Sequence, residues 1–281
     1  MDPSDVTNLA APMLIALAVA SRGFRLDEGR VGAWAASAGL ELTDERRRQV
    51  RRYLAWSRRS RTVGGLIGFL APAIYARVVV DRSDDGGWSM GSLVAGYLVG
   101  AVVAEIVVDP PGSSPRGTKP AGRAPGDHLS ARAAFLQRGL GVLSAVLGLS
   151  YAVLEPHARL AVPDPATVGA VGLTGIGIAA VVEALQRGII GRPPAPDSDA
   201  ALDGAMRWSS VHVLAGAAIA LLLNVVGLLL SALATMAGTA GSVVGLVLFL
   251  TLFVSSIAVW RDLGKPRGFM VRRPEDQAAI R

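Results

Sequence analysis

The side chains of this sequence best placed to do chemistry are acids and arginines at the ends of apolar runs. Glu105 and Glu183 each fall about one turn before a hydrophobic stretch ends, and each follows, by 44 and 45 residues, an arginine that opens another stretch, Arg61 and Arg138. A carboxylate inside a bilayer is costly and finds either a partner or a route to water. The spacing therefore offers two interfacial ion pairs, Arg61 with Glu105 and Arg138 with Glu183, against the simpler outcome that each acid reaches water by itself. Arg207 and Asp262 stand in a looser version of the same arrangement. Asn224 is the strongly polar residue deepest in an apolar run, where an amide more often ties helix to helix than holds a solute. Arg77 is placed to reach Asp81 or a lipid phosphate. Pro72 withdraws the amide that would meet the carbonyl of Gly68, which predicts a kink.

A second concentration of charge lies in residues 22–61, which hold eleven arginines. The last part carries Arg46, Arg47, Arg48, Arg51, Arg52, Arg58, Arg59 and Arg61 without an acid, interleaved with Val50, Tyr53, Leu54 and Ser57 on one helical face. Beside an anionic leaflet each such arginine contributes up to about 1 kcal/mol, so the segment reads first as a surface for anionic lipid. A docking platform for a cytoplasmic partner, such as an ATPase or another membrane subunit, is the sharper alternative. A DNA-reading helix pair comes last, because two helices alone bury no core. Residues 27–38 predict a short helix with Val31, Trp34, Ala35 and Ala38 on one side, stopped by Gly39. Thr43 then caps a second helix, with Asp44 and Glu45 in its first turn, that runs on into the next apolar stretch.

Other chemistries find no residues. With no cysteine, a disulfide framework, a thiolate metal site and a cysteine nucleophile are excluded. His128, His157 and His212 have no acid or second histidine at ligand spacing, so no metal site is expected. No phosphate-cradling Walker loop and no plausible triad occurs, so neither an enzyme nor a cofactor is expected. The sequence pI near 10.4 would suggest nucleic acid in a soluble protein. Membrane proteins, however, gather basic residues on one face for topological reasons, and no nucleic-acid module is visible.

The elements that must position these residues are membrane helices. Half of the chain, 51%, is hydrophobic, with 33 glycines and 5% aromatics, and several apolar runs approach the roughly 20 residues that cross a bilayer core. Seven spans are expected, near 6–21, 62–80, 91–108, 139–154, 166–186, 209–235 and 242–260, making an all-α polytopic bundle. The first resembles a signal peptide at residues 18–20, yet Asp2 and Asp5 precede it and arginines follow, which favours a retained leading helix, 1–21. Segments 22–61, 109–138, 187–208 and 261–281 hold twenty-five of the 28 Lys and Arg residues, whereas the alternate loops hold only Arg82 and Arg159. The positive-inside rule then places the amino terminus outside, the carboxyl terminus in the cytoplasm, and three hairpins, 62–108, 139–186 and 209–260, pointing outward. Segments 109–128 and 191–204 are rich in Pro, Gly and Ser and read as linkers.

Two further patterns concern the hairpins. Gly64 and Gly68, Gly96 and Gly100, and Gly241 and Gly245 recur at the spacing that lets helix backbones approach closely. Segment 61–105 also resembles 138–183 at an offset of 77 or 78, matching Arg61, Gly64, Leu66 and Leu70 to Arg138, Gly141, Leu143 and Leu147, which suggests a parallel internal repeat with a weaker third copy.

The run RRYLAWSRRSRTVGGLIGF, with AGYLVGAVVAEIV after it, looks like stretches of uncharacterised multi-pass membrane proteins of high-GC bacteria. The resemblance covers about residues 40–108 and implies the topology, in a bacterial cytoplasmic membrane, and no activity. Two functions remain open. One is a permease-type subunit for hydrophobic or amphipathic cargo, energised by a separate ATPase. The other is a non-transporting scaffold or accessory subunit that binds partner proteins or anionic lipids.

Overall fold

The computed structural model describes residues 27–78, 90–107, 130–154, 164–191 and 199–263, with side chains at 72–78, 90, 91 and 107 outside that description. Seven helices account for the regular structure of the described residues: α1 Glu28–Ser37, α2 Asp44–Val78, α3 Met90–Val107, α4 Ala131–Leu154, α5 Pro165–Gly191, α6 Ala200–Thr235 and α7 Gly238–Leu263. They fall into two compact units, α1–α3 and α4–α7. The leading run 6–21 and the linker at 109–128 lie outside the described residues.

In the first unit the local signals act as the sequence implies. Asp27 starts α1 by accepting the Gly29 amide at 3.2 Å. Gly39, at φ 64°, ends it, and the amides of Gly39 and Leu40 return to the carbonyls of Ala36 and Ala35. Thr43 Oγ1 accepts the Arg46 amide at 3.3 Å and opens α2. Val31, Trp34, Ala35 and Ala38 are buried, as are Val50 and Tyr53 of α2, and the Trp34 and Tyr53 rings lie 6.1 Å apart. Burial of that stripe is what holds a ten-residue helix that would be marginal alone. α2 then continues without a break for 35 residues, from its arginines into its apolar half.

α2 and α3 meet backbone to backbone. A methyl group placed on Gly64 would lie 2.7 Å from the Cα of Gly100, and one on Gly68 would lie 2.7 Å from the Cα of Gly96. Gly64 thus sits across from Gly96 and Gly100, and Gly68 across from Ser92 and Gly96. Carried toward the arginine end, that antiparallel register brings Glu105 opposite Ser57, between Tyr53 and Arg61.

The second unit is built round α6. From Val211 to Leu229 this helix is buried on nearly every side, and α4, α5 and α7 all pack on it. A helix apolar all round is stable only when so enclosed or in lipid. Glycines close the outer seams too: a methyl on Gly148 would lie 2.9 Å from the Cα of Gly172, and one on Gly245 would lie 3.0 Å from the Cα of Ser231. Two helices start earlier than the hydropathy pattern implies. Ser130 Oγ accepts the Ala133 amide at 3.2 Å, so α4 begins at 131 rather than 139. Asp199 accepts the amides of Ala201 and Leu202 at 3.1 and 3.2 Å, so α6 begins at 200 rather than 209, and the buried stripe Leu202, Ala205 and Ser209 carries it through what reads as linker. α5 opens with Pro165 at its first position and Asp164 accepting the Thr167 amide at 2.9 Å.

Four helices, α4, α5, α6 and α7, are long and apolar enough to cross a bilayer, and α3 adds a shorter apolar stretch, Ser92–Ile106. Among the described residues, four of the seven expected spans are therefore recovered. α2 shares its length between arginines and apolar residues, and α3 is only 18 residues long.

Candidate functional site

The most demanding group in the first unit is Glu105, whose side chain is 0% exposed. α3 carries it to the arginine-rich end of the hairpin, on the face it shares with buried Ala101 and Ala104. The Tyr53 hydroxyl donates to it from 3.3 Å, equally far from both carboxylate oxygens, and Arg61 Nη2 stands 3.9 Å away. The pairing inferred from sequence is thus present, but as a long ion pair, with the tyrosine in the closer position. Ser57 Oγ is buried in the same stripe and has no hydrogen-bond partner among the described residues. Tyr53 reads in the sequence as part of an apolar face. The signal for its role is its i, i+4, i+8 relation to Ser57 and Arg61, which lines a polar stripe down one side of α2.

The corresponding group in the second unit has different chemistry. Arg138 grips Glu183 with both ends of its fork, Nε to Oε2 at 3.0 Å and Nη2 to Oε1 at 2.6 Å. Arg187, one turn along α5, bonds the same carboxylate. Its spacing of four from Glu183 is visible in the sequence, where the longer-range partner draws attention away from it. This cluster is solvent-facing, with Arg138 61% exposed, so its worth is that of a surface pair. The third pair involves a further acid. Arg207 is held by Asp203, one turn earlier in α6, at 2.7 Å, and Asp262 lies exposed in the last turn of α7.

Several buried polar groups within the apolar helices reach a neighbouring helix, while others bond their own. Asn224 Nδ2 donates to the Ala220 carbonyl at 2.8 Å and to Ser256 Oγ of α7 at 3.0 Å, and Ser256 passes its own proton to the Phe253 carbonyl at 2.7 Å. Gln137 Nε2 donates across a seam to the Ala179 carbonyl at 3.2 Å. Ser144 Oγ lies 3.0 Å from the Gly172 carbonyl. His212 stacks on Trp208, ring centroids 4.0 Å apart, with Nδ1 on the Trp208 carbonyl at 3.0 Å. The side chains of Pro72 and Arg77 lie outside the described residues, although helix α2 runs through both positions.

The basic face is real as a surface. Arg47, Arg48, Arg51, Arg52 and Arg59 are exposed, and Arg46 and Arg58 are half-buried. Arg51 is tied to Glu28 of α1 at 3.0 Å and Arg46 to the Glu41 carbonyl at 3.0 Å. Arg58 holds its proton less firmly than an ordinary guanidinium, because of burial first and then the nearby charges of Arg30 and Arg61, with Tyr97 opposing.

Long apolar helices with wide exposed apolar faces, such as Val243, Val247, Leu250 and Val254 of α7, define the class: an α-helical membrane protein. Beyond that class, the sequence matches no family model, no curated protein and no solved structure.

Proposed function

We propose that this chain is a non-transporting multi-pass membrane scaffold or accessory subunit, without enzymatic activity, that presents the arginine face of α2 to anionic lipid or to a partner protein. The observation that carries the reading is where the polar groups of the apolar helices go. Asn224, Ser256, Gln137 and Ser144 bond helix to helix. At Gly68 with Gly96 and at Gly148 with Gly172 the backbones are too close for a methyl group, so no solute passes along those seams. A permease-type subunit driven by an ATPase is the competing reading, and it requires a path elsewhere. The wider assignment goes with the proposal: seven spans, the amino terminus outside, the carboxyl terminus in the cytoplasm, a bacterial cytoplasmic membrane, kinship with multi-pass proteins of high-GC bacteria, and duplication of the Arg61–Glu105 and Arg138–Glu183 hairpins.

The test is purification of the full chain from native membranes in mild detergent, with identification of what accompanies it. Anionic lipid or a membrane partner without nucleotide-hydrolysing activity is expected. A stoichiometric ATPase would turn the assignment to the permease reading.

A further inference from the structure

Resting on the lipid side of that reading, we propose that Arg52, Trp56 and Arg59 form a site for the phosphate of an anionic phospholipid, with Val63 and Ile67 beside its acyl chains. These five residues follow one another at steps of four, three, four and four, so they make a single line along one face of α2. All five are exposed, Trp56 by 42% and Ile67 by 60%. Within the first unit the line is turned away from both neighbours, since Tyr53 meets Trp34 of α1 and Gly64 and Gly68 meet the backbone of α3. Among the described residues Arg52 and Arg59 have no partner, whereas Arg51 is tied to Glu28 and Arg46 to the Glu41 carbonyl. Their planar forks are therefore open to phosphate oxygens. The acids of α2, Asp44 and Glu45, stand in its first turn, seven residues or more before Arg52, and leave both charges unopposed on the line.

The order of residue types along the line selects a lipid rather than a free ion. Charge comes first, then an indole flanked by arginines, then apolar side chains, which is the sequence of environments met on entering a bilayer. Side chains on a helix lean toward its amino-terminal end, which carries Arg59 back past Trp56 toward Arg52 and away from Val63. The two arginine backbones are about 10 Å apart along the axis, a gap that their long stems can close on one phosphate. An indole presented outward marks headgroup depth. With Trp56 and Arg59 at that depth, the nineteen residues from Ser60 to Val78 extend about 28 Å, close to the roughly 30 Å of a bilayer core. Val63 and Ile67 then lie in the hydrocarbon directly below the phosphate, where a lipid has acyl chains to set against them and a free ion has nothing.

The experiment uses the full chain in neutral detergent, titrated with phosphatidylglycerol and read by native mass spectrometry. Arg52→Gln with Arg59→Gln should weaken retention of the first lipid about tenfold or more. Arg47→Gln with Arg132→Gln, an equal loss of charge at exposed positions off the line, should change it by less than about threefold. Equal losses from both pairs would overturn the site and leave the diffuse basic face of the proposed function standing. No loss from either would overturn both. Displacement of the lipid by inorganic phosphate alone would overturn the lipid assignment in favour of a free phosphate. Trp56→Leu leaves every charge in place and tests the site independently if the glutamine pair fails to fold. It should weaken retention about threefold or more, and an unchanged affinity would refute a site built round Trp56.

Discussion

Replacing Tyr53 by Phe removes one oxygen atom and nothing else, because the ring stays packed on Trp34. That oxygen donates to a carboxylate with no exposure, at 3.3 Å from each of its oxygens. A hydrogen bond to a charged group contributes about 1.5–3 kcal/mol. Because this one is long and divided between two acceptors, the loss should fall at the lower end, about 1.5 kcal/mol. Glu105→Gln keeps the shape, removes the charge and leaves Arg61 facing an amide. Breaking a buried pair from one side costs about 3–5 kcal/mol, and the 3.9 Å separation again favours the lower figure. Reversible unfolding by SDS in mixed micelles measures both. In the double mutant the hydroxyl has no carboxylate left to lose, so the two effects should fall short of additive by about 1 kcal/mol. Additivity within about 0.3 kcal/mol would show that Tyr53 does not stabilise Glu105, and the polar stripe of α2 would lose its explanation.

The remaining predictions are these. Gly68→Ala should destabilise the first hairpin by about 1–3 kcal/mol, since the added methyl meets the backbone of Gly96, whereas Gly139→Ala, with open space around it, should stabilise by about 0.5–1 kcal/mol in the same unfolding assay. Asn224→Ala and Ser256→Ala should be coupled by about 0.6–1.7 kcal/mol in a double-mutant cycle, and independence would remove Asn224 as the tie between α6 and α7. Asp164 is held below the usual carboxylate range, chiefly by the Thr167 amide, so its contribution is complete above the unfolded pKa and disappears as pH falls through the lower folded value. Melting temperatures should therefore fall below about pH 4 in wild type and less so in Asp164→Asn.

Much of the first unit was legible because its signals are local. Asp27, Gly39 and Thr43 act on their own neighbours, and the apolar stripe of α1 repeats at helical spacing. The Arg61–Glu105 and Arg138–Glu183 pairings were legible for a different reason, since an acid near the end of an apolar run has few ways to be satisfied. Hydropathy alone could not show where α4 and α6 begin. Ser130 and Asp199 cap turns that carry the charged residues Arg132, Asp203 and Arg207, and only the packing of Gln137, Leu202 and Ala205 reveals those turns as partly buried helix. Nor could hydropathy show that Arg207 would bond Asp203, although the spacing of four was present in the sequence.

The central claim is a polytopic membrane protein whose basic segments share one side of the bilayer. The absence of native cysteine lets single cysteines introduced at Asp85, Pro120, Leu160 and Glu275 test it against an impermeant thiol reagent on intact cells. Labelling at 85 and 160, with protection of 120 and 275 until the membrane is opened, is the expected result. Labelling of 120 from outside would contradict the orientation, and equal labelling of all four would contradict the membrane assignment itself.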